Sequence, residues 1–314
     1  MSTQRTQRTS TRRKPRIGLA LGSGSARGWA HVGVIRALES AGIRPDLVCG
    51  TSIGALVGAA YVAGELAAFE QWLVGLGIRD VLGLLDVRMS GGMIKGERLV
   101  KFLNKHFIDR PIEELPMPFG AVATALDTGT EVWLREGSTI EAVRASIALP
   151  ALFRPVVHEG RVLVDGALVN PVPVSLARAM GADLVIAVDL SSDVLGRRLR
   201  AEPEAEAPAA EISEWRRKLQ ERLSTLMPAK EDDDEDDAPR LPSILEVVAT
   251  SINIMQVRVT RSRMAGDPPD AIVSPRLSHL GLLDFHRAKE AIEAGEFAVQ
   301  SALPSLNALL KRAR

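Results

Sequence analysis

The chain has 314 residues, 46% of them apolar, which is enough to bury a substantial core in one large domain or two. Lysine plus arginine equals aspartate plus glutamate at 39 each, so no overall field draws the protein to nucleic acid or to anionic membranes. Cys49 is the single cysteine, which excludes an intramolecular disulfide and a cysteine-based zinc site and fits a reducing cytoplasm.

Residues 1–15 carry Arg5, Arg8, Arg12, Arg13 and Lys14 with no acid, the composition of a solvated, disordered tail. The pair Arg12-Arg13 is not followed by an export-signal core, because the next apolar run lasts only from Ile17 to Leu21. That run predicts a strand, Ala30 to Ala41 a helix, Leu47 to Cys49 a second strand, and Ile53 to about Ala63 a second helix. Alternation of this kind predicts an α/β fold, a parallel sheet with helices on its faces. Further strands are predicted at Gly120 to Leu126, Glu131 to Leu134, Arg161 to Asp165 and Leu184 to Asp189. Helical patterns fall at Glu97 to Phe107, Thr139 to Ser146 and Val172 to Met180. One domain is expected to span residues 16–190.

Composition changes over Leu195 to Leu241, which is rich in Arg, Glu, Ala and Pro and ends in an unbroken acidic run, Glu231 to Asp237. It reads as a low-complexity charged insertion, the acidic run being a solvated spacer that lacks the ligand spacing of a calcium loop. Within it, Ile212, Trp215, Leu219, Leu223 and Leu226 recur at helical spacing beside Arg216, Arg217, Lys218 and Arg222. A helix of this kind suits peripheral membrane contact through residues 211–226. Residues 242–314 are expected to pack on the same domain as a long helix from Ile244 to Met264, a strand at Ala271 to Val273 and a terminal helix from Asp284 to Lys311. The most apolar long stretch, Ile53 to Ile78, is interrupted by Glu65, Glu70 and Gln71 and lacks the uninterrupted length of a membrane span. The expectation is a cytoplasmic protein, peripheral at the inner membrane face if residues 211–226 engage lipid.

Two short segments carry chemistry. After the first strand comes a glycine turn, "LGSGSARG", with Gly22, Gly24 and Gly28, whose backbone amides suit a phosphate or a developing oxyanion. A dinucleotide turn needs glycine at its sixth position, where Arg27 stands, and an acid at the end of the next strand, where Cys49-Gly50 stands. After that next strand comes "GTSIG", a nucleophile-elbow pattern with Ser52 at its centre and Gly50 and Gly54 leaving room for a tight strand-to-helix turn. The pairing favours an oxyanion role for the amides of Ser23, Gly24 and Ser25. Arg27 is expected to fix the turn.

A serine hydroxyl needs a base. Asp165 ends a predicted strand, and Gly166 after it permits a sharp turn, which makes this aspartate the best-placed base if it is desolvated. Asp127 and Asp189 are its rivals near other strand ends, and His31, His106, His158, His279 and His286 are the available histidines, none in a motif that favours it. Cys49, just before the elbow, reads as a small buried apolar residue, and Ser146 and Pro150 as parts of a cleft wall.

"GSGSARG", "GTSIG", "ASIALP" at 145–150 and "DGA" at 165–167, in that order, resemble the patatin-like phospholipase family, in its compact bacterial form. The resemblance covers residues 16 to about 190 and implies a three-layer sandwich with a mostly parallel central sheet. It implies a Ser-Asp dyad with Ser52 as nucleophile, Asp165 as base and the glycine turn as oxyanion hole, cleaving phospholipid or lysophospholipid esters without metal or other cofactor. One departure is that Ser23 and Ser25 flank Gly24 where the family commonly has consecutive glycines. The other function compatible with these features is a scaffold protein with a vestigial site.

Overall fold

In the computed structural model, residues 13–77, 109–150, 153–193, 244–282 and 284–313 are described. The expected helix at Glu97 to Phe107 and the whole of the charged insertion, residues 211–226 included, lie outside them. The chain runs β1 (Ile17–Leu21), α1 (Ala30–Ser40), β2 (Leu47–Thr51), α2 (Ile53–Val62), α3 (Leu66–Val74), β3 (Phe119–Ala125), β4 (Glu131–Leu134) and α4 (Thr139–Ser146). It continues with β5 (Val156–His158), β6 (Arg161–Asp165), α5 (Val174–Ala179), β7 (Leu184–Val188), α6 (Ile244–Gly266), β8 (Ala271–Val273) and α7 (Ala288–Ala313).

These strands form one sheet in the order β5-β6-β3-β2-β1-β7-β8, with β4 also paired to β3. From β3 through β8 the pairings along this order are parallel, whereas β4, β5 and β6 join antiparallel. The central strands are buried on both faces, which is why β1, β2 and β7 read as continuous apolar runs. Successive side chains then serve opposite cores. Leu19, Leu21, Val48, Ile186 and Val188 enter one core with α1, α2, α3, α4 and α7, while Ala20, Leu47, Cys49, Val185 and Ala187 enter a second beneath α5. The result is an α/β sandwich of three layers.

Two elements, α3 and β5, go beyond the sequence expectation. Gly64, at φ 82°, ends the second helix and a separate one, α3, follows where the sequence shows a single apolar stretch. The strand β6 is half of a hairpin: His158 pairs with Arg161 across a turn of Glu159 (φ 48°) and Gly160 (φ 76°), both residues in the left-handed region that tight hairpins require. At the carboxyl end of the chain, β8 extends the sheet next to β7, and α7 lies along α1. Among the described residues no helix is long and apolar enough to cross a membrane.

Candidate active site

Strand register brings Ser52 and Asp165 together. On one edge β3 pairs with β4 through Ala121 to Thr124; the other edge is shared by two strands. Its first half pairs with β2, ending at Thr51 opposite Val122, and its second half pairs with β6, ending at Asp165 opposite Ala123. One strand runs up and the other down, so their ends meet at neighbouring positions of β3. Ser52, the next residue after β2, therefore faces Asp165, and its Oγ donates to Asp165 Oδ2 at 2.6 Å.

Ser52 has φ 57° and ψ −125°, a conformation that costs a non-glycine residue of order 1–3 kcal/mol. Close packing holds it there. A Cβ on Gly54 would lie 2.2 Å from the Leu21 carbonyl oxygen, and one on Gly50 would lie 2.4 Å from the Gly54 carbonyl, so the elbow admits hydrogen alone at both places. The Ser52 amide donates to Ser146 Oγ at 2.8 Å, and that hydroxyl donates in turn to the Val122 carbonyl at 2.6 Å.

Asp165 is 1% exposed. Its Oδ1 accepts from the Ala167 amide at 2.8 Å, its own amide donates to the Ala148 carbonyl, and its carbonyl accepts from Thr124 Oγ1. Burial outweighs the two bonds to its carboxylate and pushes its pKa up to about 7. A carboxyl tuned to that value is as good a proton acceptor near neutrality as an ordinary imidazole.

The rival bases are placed differently. Asp127 is exposed, and Asp189 accepts from the amide and hydroxyl of Ser191. Of the histidines, His106 lies outside the described residues, and no described histidine lines the cleft that holds Ser52 and Asp165. His31 is buried behind the glycine turn, where its Nε2–H donates to the Gly22 carbonyl at 2.7 Å and burial lowers its pKa to about 4. It is neutral at physiological pH. The Cys49 thiol is pushed up by burial and donates to the Pro173 carbonyl, an inert position as expected.

The glycine turn borders the same cleft through Gly24 and Ser25. Here one expectation is corrected: the Ser23 amide is committed to the Pro171 carbonyl at 2.8 Å and is not offered to a ligand. The Gly22 amide is likewise taken by Val188. No described carbonyl takes the Gly24 or Ser25 amide. Ser25, at φ 52°, is held by its hydroxyl, which donates to the Leu282 carbonyl. Arg27 is buried, and its Nη2 donates to Asn253 Oδ1 of α6 at 2.8 Å, tying the turn to that helix. Gly28 packs against Ile53, and Gly166 against the Val122 carbonyl. The cleft is open to solvent, and its apolar walls include Trp29, Leu56, Trp72, Ile147, Phe153 and Phe285.

The patatin-like phospholipase family matches residues 19–178, which carry the glycine turn, the elbow and Asp165. An uncharacterised NTE family protein of Mycobacterium tuberculosis is 33% identical over 92% of this chain and 91% of its own length. The chain belongs to the patatin-like phospholipase family. Mouse patatin-like phospholipase domain-containing protein 6 is 34% identical over 56% of this chain and 14% of its own length. The crystal structure of VipD from Legionella pneumophila superposes with a TM-score of 0.53 at 14% identity, covering 93% of this chain and 67% of that one, a likeness of fold. Family membership supports lipid acyl hydrolysis as the general activity.

Within this patatin fold, sequence reasoning placed Ser146 in a wall and missed its bond to the Ser52 amide. Ser146→Ala strips the acceptor from the Ser52 amide and the donor from the Val122 carbonyl, and a buried orphaned group costs about 1–3 kcal/mol. The expected outcome is a melting point lower by several degrees and a kcat that falls more than KM rises, read by thermal unfolding and steady-state kinetics on one preparation.

Proposed function

We propose that the protein is a serine hydrolase that cleaves a carboxylic ester of a phospholipid or lysophospholipid through an acyl-Ser52 intermediate, with Asp165 as base. The observation that carries this reading is the 2.6 Å bond from Ser52 Oγ to a buried carboxylate at the floor of an apolar cleft. Asp165 takes the hydroxyl proton as Ser52 Oγ attacks the ester carbon. Charge then develops on the carbonyl oxygen, where the Gly24 and Ser25 amides serve as donors. Protonated Asp165 returns the proton to the departing alcohol. Water repeats the sequence on the acyl-enzyme, giving the free fatty acid and restoring Ser52. A fluorophosphonate probe tests the reading: labelling of the wild type, lost in Ser52→Ala, supports it, and no labelling of folded wild type would identify a scaffold instead.

Residues 211–226 are proposed to supply peripheral membrane contact, with Trp215 and the leucines entering an anionic interface beside Arg216, Arg217, Lys218 and Arg222. Deleting residues 197–240 is expected to leave turnover of a soluble short-chain ester unchanged and to weaken sedimentation with anionic vesicles. Unchanged sedimentation would remove the interfacial role.

A further inference from the structure

Helix α6 turns a polar face inward. Asn253, Gln256 and Thr260 are all buried, and their spacing of three and then four residues places them on one side of the helix. Asn253 is committed to Arg27, which fixes that side against the glycine turn. At its other end α6 is held by Arg263, which bonds the Val169 carbonyl and pairs with Glu131 at 3.0 Å.

Gln256 lies between these anchors and lines the cleft that holds Ser52 and Asp165. It is 9% exposed, and its amide has no hydrogen-bond partner among the described residues. Beside it on the wall is Ile252, and facing the same space are Trp29, Trp72 and Phe285. A leucine or methionine would fill such a position with no polar group to desolvate, and both suit a helix at least as well. The Gln256 amide is not among the polar atoms sealed from solvent, so it opens onto the cleft, where a ligand group can take the place of water.

We propose that Gln256 forms a polar subsite that reads a free hydroxyl on the alcohol portion of the ester, as a lysophospholipid or monoacylglycerol presents. The inference rests on the hydrolase reading above. A fatty acyl chain offers no hydrogen-bonding group except its carbonyl, and that carbonyl is served by the Gly24 and Ser25 amides. What remains for Gln256 is on the alcohol side. A primary amide both donates and accepts, matching a hydroxyl, which does the same.

The test compares 1-acyl-lysophosphatidylcholine with its 2-deoxy counterpart, identical in acyl chain and head group. A site that bonds a substrate hydroxyl discriminates against the analogue that lacks it, here by about tenfold or more in kcat/KM. In Gln256→Leu the ratio is expected to fall to about twofold or less. A wild type without the preference overturns the proposal, as does a folded variant that keeps the preference. A general defect of packing or of the oxyanion site lowers both substrates together and leaves the ratio unchanged, which also overturns it. If Gln256→Leu does not fold, the ratio in the wild type and in Gln256→Met decides. Failure of the hydrolase reading is distinct, since then neither substrate is turned over and the fluorophosphonate does not label.

Discussion

Ser52→Ala is expected to lose ester turnover by about 10⁴-fold or more and to lose all fluorophosphonate labelling, while the protein remains folded. Removing a nucleophile from a site whose members act as a unit leaves only what binding and oxyanion donors contribute. The fold survives because alanine makes the same backbone demands: Ser52 sits at φ 57°, and the surrounding contacts of Gly50 and Gly54 impose that angle whichever side chain follows. What changes is local. Asp165 Oδ2 loses the hydroxyl that donates to it, so its carboxyl resists ionisation further. Ser52→Gly would remove the backbone penalty too, and should melt above Ser52→Ala by about 1 kcal/mol of stability, equally inactive. Near-normal turnover in a folded Ser52→Ala, free of contaminating esterase, would dispose of the dyad.

The elements easiest to read in the sequence were those whose pattern is local. The buried strands β1 and β7 appear as unbroken apolar runs, and α4 as a helical pattern over Thr139–Ser146, which the structure shows capped by Ser138 Oγ accepting from the Glu141 amide. Strand β5 was harder, because three residues, Val156–His158, show too little alternation, and only the Glu159-Gly160 turn marks the hairpin. The site divides in the same way. The elbow is a pentapeptide whose glycines meet backbone within 2.4 Å, so its chemistry is written next to Ser52 itself. The contacts of Ser146 and of the Ser23 amide cross 94 and 148 positions of chain, and pattern carries no record of them. Gln256 is the extreme case: on a helix with Arg258, Arg261 and Arg263 it looks like one more solvated residue until α6 is laid over the cleft.

Asp165→Asn is expected to lower turnover at least about a hundredfold and, at pH 8, to make the protein more stable. The activity follows from losing the base, since an amide cannot take the Ser52 proton. The stability follows from burial. In the folded chain the carboxyl ionises near pH 7 rather than 3.8, so between those values the unfolded chain releases a proton that the folded one keeps. Stability from this group is highest below pH 4 and falls as pH rises to 7, by about 4 kcal/mol at 1.36 kcal/mol per pKa unit. Asparagine has no charge to bury, and its oxygen and nitrogen can keep the contacts to the Ala167 amide and to Ser52 Oγ. The variant's melting point should therefore match the wild type near pH 4 and exceed it by several degrees at pH 8. In the wild type, kcat/KM should rise with pH through about 7 and then level off, as the base loses its proton. Melting curves at the two pH values and a pH–rate profile check both halves. A melting-point difference that does not grow with pH would show that Asp165 is not the buried acid described, and retained turnover in Asp165→Asn would move the base elsewhere.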